Sequence, residues 1–324
     1  MPRIFARGET MKPHDSATQR IENDNARFAI KGVLALEAGR GSLPSVVIRN
    51  EHASATVYLH GAHVTHFQPK GKGPVLWMSD WSWFEAGKPI RGGVPICWPW
   101  FGPHAGDPKL PGHGFARLVE WKLTKTAQLP GGRTQVQLAL TPAEVRTSPA
   151  AGLLKVFPHP FELTFAVTVG AELEMELAVH NPGQAPFTFE EALHTYLVTG
   201  DIWDARIRGL AGAKYVDKMQ AMKVCTQEAE EVVFAGETDR VYLDTRSACE
   251  LIDSKLERRI AVAKENSVNT VVWNPHKAKA KAMPDFGDGE WKGMVCIETA
   301  NVGPGAVTLP PGGTHAMKAV LALT

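Results

Sequence analysis

Apolar and polar positions alternate with a period of two along most of this chain. The clearest run is Phe161, Leu163, Phe165, Val167 and Val169, followed by Gly170 and then Leu173, Met175, Leu177 and Val179. Glu172, Glu174 and Glu176 fill the gaps in the second half. A period of two puts alternate side chains on opposite faces of an extended strand. The run therefore predicts an antiparallel hairpin with one buried and one wet face. Weaker runs of the same kind lie at 55–59, 136–140, 232–234, 240–243, 248–252, 260–264, 270–273, 294–299 and 315–323. Turn signals separate them: Pro130-Gly131-Gly132, Asn181-Pro182-Gly183 and Pro310-Pro311-Gly312-Gly313. Helical periodicity is confined to short stretches near 142–147 and 278–283. No Pro/Ser/Gly linker and no tandem repeat divides the chain. The pattern predicts an all-β protein built as a large antiparallel β-sandwich. Residues 1–25 are polar and patternless, and read as a flexible extension ahead of one domain over 26–324.

Composition narrows the functional classes. The chain has 324 residues, enough for a large core, and a net charge of only +1. So small a net charge gives no reason to expect nucleic acid or an anionic membrane as partner. No apolar run reaches the length of a membrane span, and the start lacks a signal-peptide core. Four scattered cysteines form no metal-binding or redox spacing. Reduced thiols and a cytoplasmic location are the expectation. The sequence is compatible with a monomer and does not fix the oligomeric state.

Residues 90–117, IRGGVPICWPWFGPHAGDPKLPGHGFAR, are unlike the rest. Proline and glycine rule out a helix there, and so much aromatic surface rules out a bare flexible loop. An ordered loop across the mouth of a pocket fits both facts. Arg91 and Arg117 bring permanent charge, and His104 and His113 can donate, accept or titrate. A structural connector is the plain alternative. Two further segments weigh against it. Phe189-Glu190-Glu191-Ala192-Leu193-His194-Thr195-Tyr196-Leu197, read as a strand, aligns Glu190, His194 and Tyr196 on one face. Cys296-Ile297-Glu298-Thr299-Ala300-Asn301 sets Glu298 among apolar and small residues, where desolvation makes a carboxylate a stronger base. Trp273-Asn274 adds an aromatic face beside an amide. A structural ion pair at Glu298 and a core Trp with a turn Asn are the plain alternatives. His60, His63 and His66 resemble a metal cluster only in spacing, because a strand sends such neighbours to opposite faces. No phosphate loop, GxSxG or HExxH motif is present.

RGGVPICWPWFG, HGFAR, EEALHTYL, TDRVY, VWNP and ETAN, in that order, resemble the hexose-6-phosphate mutarotases, the glucose-6-phosphate 1-epimerases of the aldose 1-epimerase superfamily. The resemblance runs from about Phe28 to the C-terminus. It implies a galactose mutarotase-like β-supersandwich, exchange of the α and β anomers of a hexose 6-phosphate, and no cofactor or metal. It puts the catalytic acid on His194 and the catalytic base on Glu298. It puts substrate contacts on His113, Asp239, Trp273 and Asn274, with Arg91 and Arg117 taking the phosphate. An aldose 1-epimerase of unphosphorylated sugar and a non-catalytic sugar-phosphate binder on the same fold are the alternatives.

Overall fold

The computed structural model describes residues 13–324. Its strands pair antiparallel throughout, and an isolated bridge between Trp98 and Gly114 is parallel. The all-β reading holds: two eight-stranded sheets dominate, with a four-stranded and a two-stranded sheet beside them. The first large sheet runs, from edge to edge, through strands Lys223–Thr226, Lys214–Asp217, Thr238–Leu243, Asn269–Asn274, Met294–Asn301, Glu191–Leu193 and Ile96–Cys97, with Tyr196–Val198 also on Met294–Asn301. The second carries the predicted hairpin, Glu162–Val169 with Leu173–His180, between strands Thr134–Leu140 and Thr314–Leu323. Its apolar positions alternate with wetter ones, as one buried face requires. Each buried Val, Leu or Phe contributes about 1.5–3 kcal/mol.

Met294–Asn301 is buried along its whole length, so both faces of its sheet are covered. Strand register separates those faces. Glu298 lies opposite Val271, which lies opposite Val241. Ala300 lies opposite Ala192, which lies opposite Cys97. These residues share one face of the sheet, and Cys97, Ala192, Val241, Val271 and Ala300 form a small core separate from the main one. Alanine, cysteine and valine leave room above that face, and the site occupies it.

Two local expectations fail. Residues 232–234 form no strand, and only Val232 makes a bridge, to Ile207. Residues 1–12 of the expected extension lie outside the described residues; the rest of it is a helix, Pro13–Phe28. The helix is held by contacts that no local pattern advertises. Asn25 pairs with both backbone groups of Leu36, at 2.8 and 2.7 Å. Arg20 forms an ion pair with Glu120. The short helices come out close to expectation, as Pro142–Arg146 and His276–Ala282.

Candidate active site

His194 stands at a break between two short strands. Thr195 N–H donates to Leu193 O at 2.9 Å, a three-residue turn centred on the histidine. The backbone N–H of His194 itself bonds Pro95 O at 3.0 Å. Tyr196 resumes the ladder opposite Cys296. Its ring stacks on His194, centroids 4.8 Å apart and planes 17° apart. Alternation thus placed His194 and Tyr196 together correctly. Glu190 does not join them. Its carboxylate accepts from Phe101 N–H and Gly303 N–H and so clamps two loops.

Glu298 faces His194, with Oε1 3.4 Å from Nε2. Both residues are almost fully buried. The contact lacks hydrogen-bond geometry, and neither Glu298 oxygen has a hydrogen-bond partner among the described residues. Desolvation pushes the Glu298 pKa well above the carboxylate range, against the opposing pull of the Lys218 charge. Desolvation likewise drives His194 well below 6.5, and the nearby charges of Arg117 and Arg91 push the same way. Burial thus favours the uncharged form of each group, the acid for Glu298 and the neutral imidazole for His194.

A ring of side chains surrounds this pair. His113 meets His194 edge-on at 5.5 Å, and Phe101 meets His113 edge-on at 4.7 Å. Trp273 meets His194 edge-on at 5.9 Å and sits opposite Asp239 in the strand register. Lys218 closes the circle: its ammonium is 3.0 Å from Asp239 Oδ1 and 5.0 Å from the Phe101 ring centre. His113 has φ +63° and is followed by Gly114 at +70°. That turn lets its Nδ1 accept from Gly102 N–H at 3.3 Å. The neutral ring then carries its proton on Nε2 and has a donor to offer. Burial first, and the Arg117 charge second, hold His113 neutral.

The aromatic loop divides as its composition suggested. Trp98 is core, packed against Phe115, Phe157, Phe161 and Phe189. Phe101 alone of its bulky residues reaches the ring. His104 accepts from Gly106 and Asp107 N–H groups and stabilises its own turn. His60, His63 and His66 go to three different partners: Lys88 O, Gly92 O and the Ser54 hydroxyl.

Arg91 is not a free phosphate clamp. Its Nε and Nη2 bond Asp285 at 3.2 and 3.3 Å, and its Nη1 donates to the Tyr196 hydroxyl at 2.9 Å. Asn274 spends both amide hydrogens on Trp291 O and Met294 O, each at 2.8 Å, and accepts from His276 N–H. It braces a loop and has no hydrogen left for a sugar hydroxyl. Arg117 is buried behind the ring, with Nη2 on Gly112 O at 2.7 Å and no carboxylate partner among the described residues. Lys218 and Asp285 are charged neighbours of these residues that sequence reading missed. Lys218 sits in an ordinary-looking VDKMQ stretch, and only the fold brings it to the ring.

Residues 44–322 match the sequence profile described as aldose 1-epimerase, which is most of the chain. The chain belongs to the aldose 1-epimerase family. Within that family it is 37% identical over 279 residues to a protein of Cenchrus ciliaris named "Putative glucose-6-phosphate 1-epimerase", covering 83% of this chain and 82% of that protein. A protein of the same name from Escherichia coli K12 is 37% identical over 258 residues, covering 80% and 83%. The fold is similar to the crystal structure of a "putative mutarotase (YeaD)" from Salmonella typhimurium, with a TM-score of 0.83 and 31% identity over 94% of this chain and 99% of that one.

A separate cleft of about 550 Å³ opens between the helix Pro13–Phe28 and the body, at Arg20, His60, Trp121 and Glu144. None of the ring residues lines it. Arg20 there pairs with Glu120 and with Asp24, the latter at 4.0 Å.

Proposed function

We propose that this protein is an isomerase that interconverts the α and β anomers of a hexose 6-phosphate, with glucose 6-phosphate the foremost substrate. The observation that carries the reading is the Glu298–His194 contact at 3.4 Å, inside a ring of polar and aromatic side chains. The names borne by relatives at 37% identity support the phosphorylated substrate.

The reaction needs one base and one acid. The O1–H bond must break while the ring oxygen O5 gains a proton and the C1–O5 bond opens. Burial favours the uncharged pair at rest. Moving its one proton from Glu298 to His194 creates the carboxylate and imidazolium that the step requires. Glu298 then takes the proton of O1–H, and His194 delivers its own to O5. The aldehyde forms, the C1–C2 bond rotates, and closure on the other face returns both protons. Each proton-transfer group contributes about 10²–10⁴-fold. His113, with its proton on Nε2, is placed to steady the ring oxygen. Asp239 accepts from sugar hydroxyls, and the flat faces of Trp273 and Phe101 take the apolar side of the sugar. Arg117 gives the ring an uncompensated positive charge suited to a phosphate. The four unpaired cysteines suit a cytoplasmic setting.

The test is NMR exchange spectroscopy on the anomers of glucose 6-phosphate, glucose and galactose. Faster exchange of the phosphorylated sugar, lost in Glu298→Gln, is the expected result. Acceleration of free sugars alone would overturn the phosphate assignment. Binding without acceleration would favour a sugar-phosphate binder on this fold.

A further inference from the structure

Glu190 leads one of the segments that the sequence singles out, and the mechanism gives it no task. Its two carboxylate oxygens have separate partners. Oε2 accepts from Phe101 N–H at 2.8 Å, and Oε1 accepts from Gly303 N–H at 2.6 Å. The backbone N–H of Glu190 donates to Pro99 O at 2.9 Å, so the residue grips the aromatic loop at two points. Ionised carboxylates make strong bonds to backbone N–H groups. An amide could satisfy only one of these two donors, because its nitrogen would present hydrogens to the other. The arrangement therefore calls for a carboxylate.

The loop it grips holds His113. Gly102 follows Phe101 and makes both of its backbone hydrogen bonds to the histidine. Its N–H donates to His113 Nδ1 at 3.3 Å, and its O accepts from His113 N–H at 2.8 Å. Among the described residues, only Gly102 hydrogen-bonds the imidazole. The Phe101 ring meets that imidazole edge-on at 4.7 Å. Gly303, at the other end of the clamp, lies just beyond Met294–Asn301, the strand that carries Glu298. One half-buried carboxylate thus ties the loop of His113 to the strand of the proposed base.

We infer that Glu190 is a positioning residue for anomer exchange: through Phe101 and Gly102 it sets the place and the tautomer of His113. The inference rests on the anomer-exchange reading, in which His113 steadies the ring oxygen. Glu190 touches no reacting atom and acts through Gly102. Gly102 N–H occupies Nδ1, which keeps the imidazole proton on Nε2 and leaves Nε2–H free to donate. A loop that drifts from Glu190 takes that donor away from Nδ1.

The experiment compares wild type with Glu190→Gln and Glu190→Asp by two readouts. The first is kcat and KM for anomer exchange of glucose 6-phosphate. Glu190→Gln should lose about 10–100-fold, mainly in kcat, as a misplaced group does. Glu190→Asp keeps two acceptors and should recover part of the loss. In a His113→Gln background the same Glu190→Gln change should cost no more than about twofold, because its target is gone. The second readout is NMR of histidine labelled in both ring nitrogens, with His113 assigned by its absence in His113→Gln. Wild type should carry the His113 proton on Nε2, and the Nδ1–H form should appear in Glu190→Gln. Unchanged kcat and tautomer in Glu190→Gln overturn the inference and leave anomer exchange standing. Equal losses in both backgrounds, or failure of both Glu190 variants to fold, mark a structural role alone and also overturn it. A wild type that speeds no anomer exchange overturns that reading, and this inference with it.

Discussion

Asp285 holds Arg91 side-on across the wall of the site, Oδ2 to Nε at 3.2 Å and Oδ1 to Nη2 at 3.3 Å. The third arm of the guanidinium reaches the Tyr196 hydroxyl at 2.9 Å, and Tyr196 stacks on His194. A carboxylate on one loop thus fixes the plane of the proposed catalytic imidazole through two intermediates. Both members of the ion pair are well buried. Removing one partner of such a pair costs about 3–5 kcal/mol, because the other charge stays behind. Asp285→Ala is expected to lower the melting temperature and to cut kcat for every sugar it exchanges. Arg91→Lys keeps the charge but loses the fork, so kcat should fall about tenfold with little change in KM. A rise in KM confined to glucose 6-phosphate in Arg91→Lys would return Arg91 to phosphate binding.

Among the described residues Glu298 has no hydrogen-bond partner, so a neutral amide in its place forfeits none. Glu298→Gln should cut anomer exchange by about 10²–10⁴-fold and preserve the fold. It should also change stability in a pH-dependent way. The folded pKa of Glu298 is raised above its ordinary 4.5. Its stabilising share is therefore complete below pH 4.5 and is lost as pH rises through the folded value. Melting curves should show Glu298→Gln gaining on wild type from acid pH to pH 8. A constant difference across that range would mean that the carboxylate is charged at rest.

The hairpin of the second sheet, the helix at 142–146 and the His194–Tyr196 face were all legible, because period-two patterns and capping residues act locally. The partner of each site residue was not. Arg91 looked free because Asp285 lies 194 residues away. Asn274 looked like a sugar ligand because the two carbonyls that consume its amide belong to a different segment. Lys218 carries no signal of its own. Its meaning comes from two left-handed residues that follow it, and neither is a glycine that would announce the turn. The N-terminal helix escaped notice for a similar reason. Its sequence is polar, and its anchors are side-chain contacts to distant strands.

Burial of His63 makes the stability of the fold fall toward acid pH. This histidine is completely buried, donates from Nε2 to Gly92 O at 2.7 Å, and burial drives its pKa down to about 3. The unfolded chain binds a proton below pH 6.5 that the native protein refuses. The contribution is complete above pH 6.5 and is lost as pH falls toward 3, roughly 3–5 kcal/mol over that window. His113 and His194 are shifted the same way and add to the slope. Urea unfolding at pH 7 and pH 4 should show a steep loss in wild type and a flatter one in His63→Gln, which keeps a donor for Gly92 O. Equal slopes would show that the proton excluded from the native state is not the one on His63.

Gly114 is the backbone condition for placing His113. Both residues have positive φ, and a Cβ on Gly114 would lie 1.9 Å from Trp98 O and 2.3 Å from its carbonyl carbon. Both are backbone atoms, and the oxygen accepts from Phe115 and Ala116 N–H, so they cannot swing aside as a flexible side chain would. Gly114→Ala should therefore displace the His113 turn, lower stability by about 3 kcal/mol and lower exchange activity with it. Gly112, two residues earlier, is the control. A Cβ there would stand 3.5 Å from Gly102 O, an ordinary contact, so Gly112→Ala should melt within a few degrees of wild type. If Gly114→Ala melts and exchanges anomers like Gly112→Ala, the left-handed pair at 113–114 does not hold the histidine. If only Gly114→Ala fails, the turn is what brings His113 to within 5.5 Å of His194.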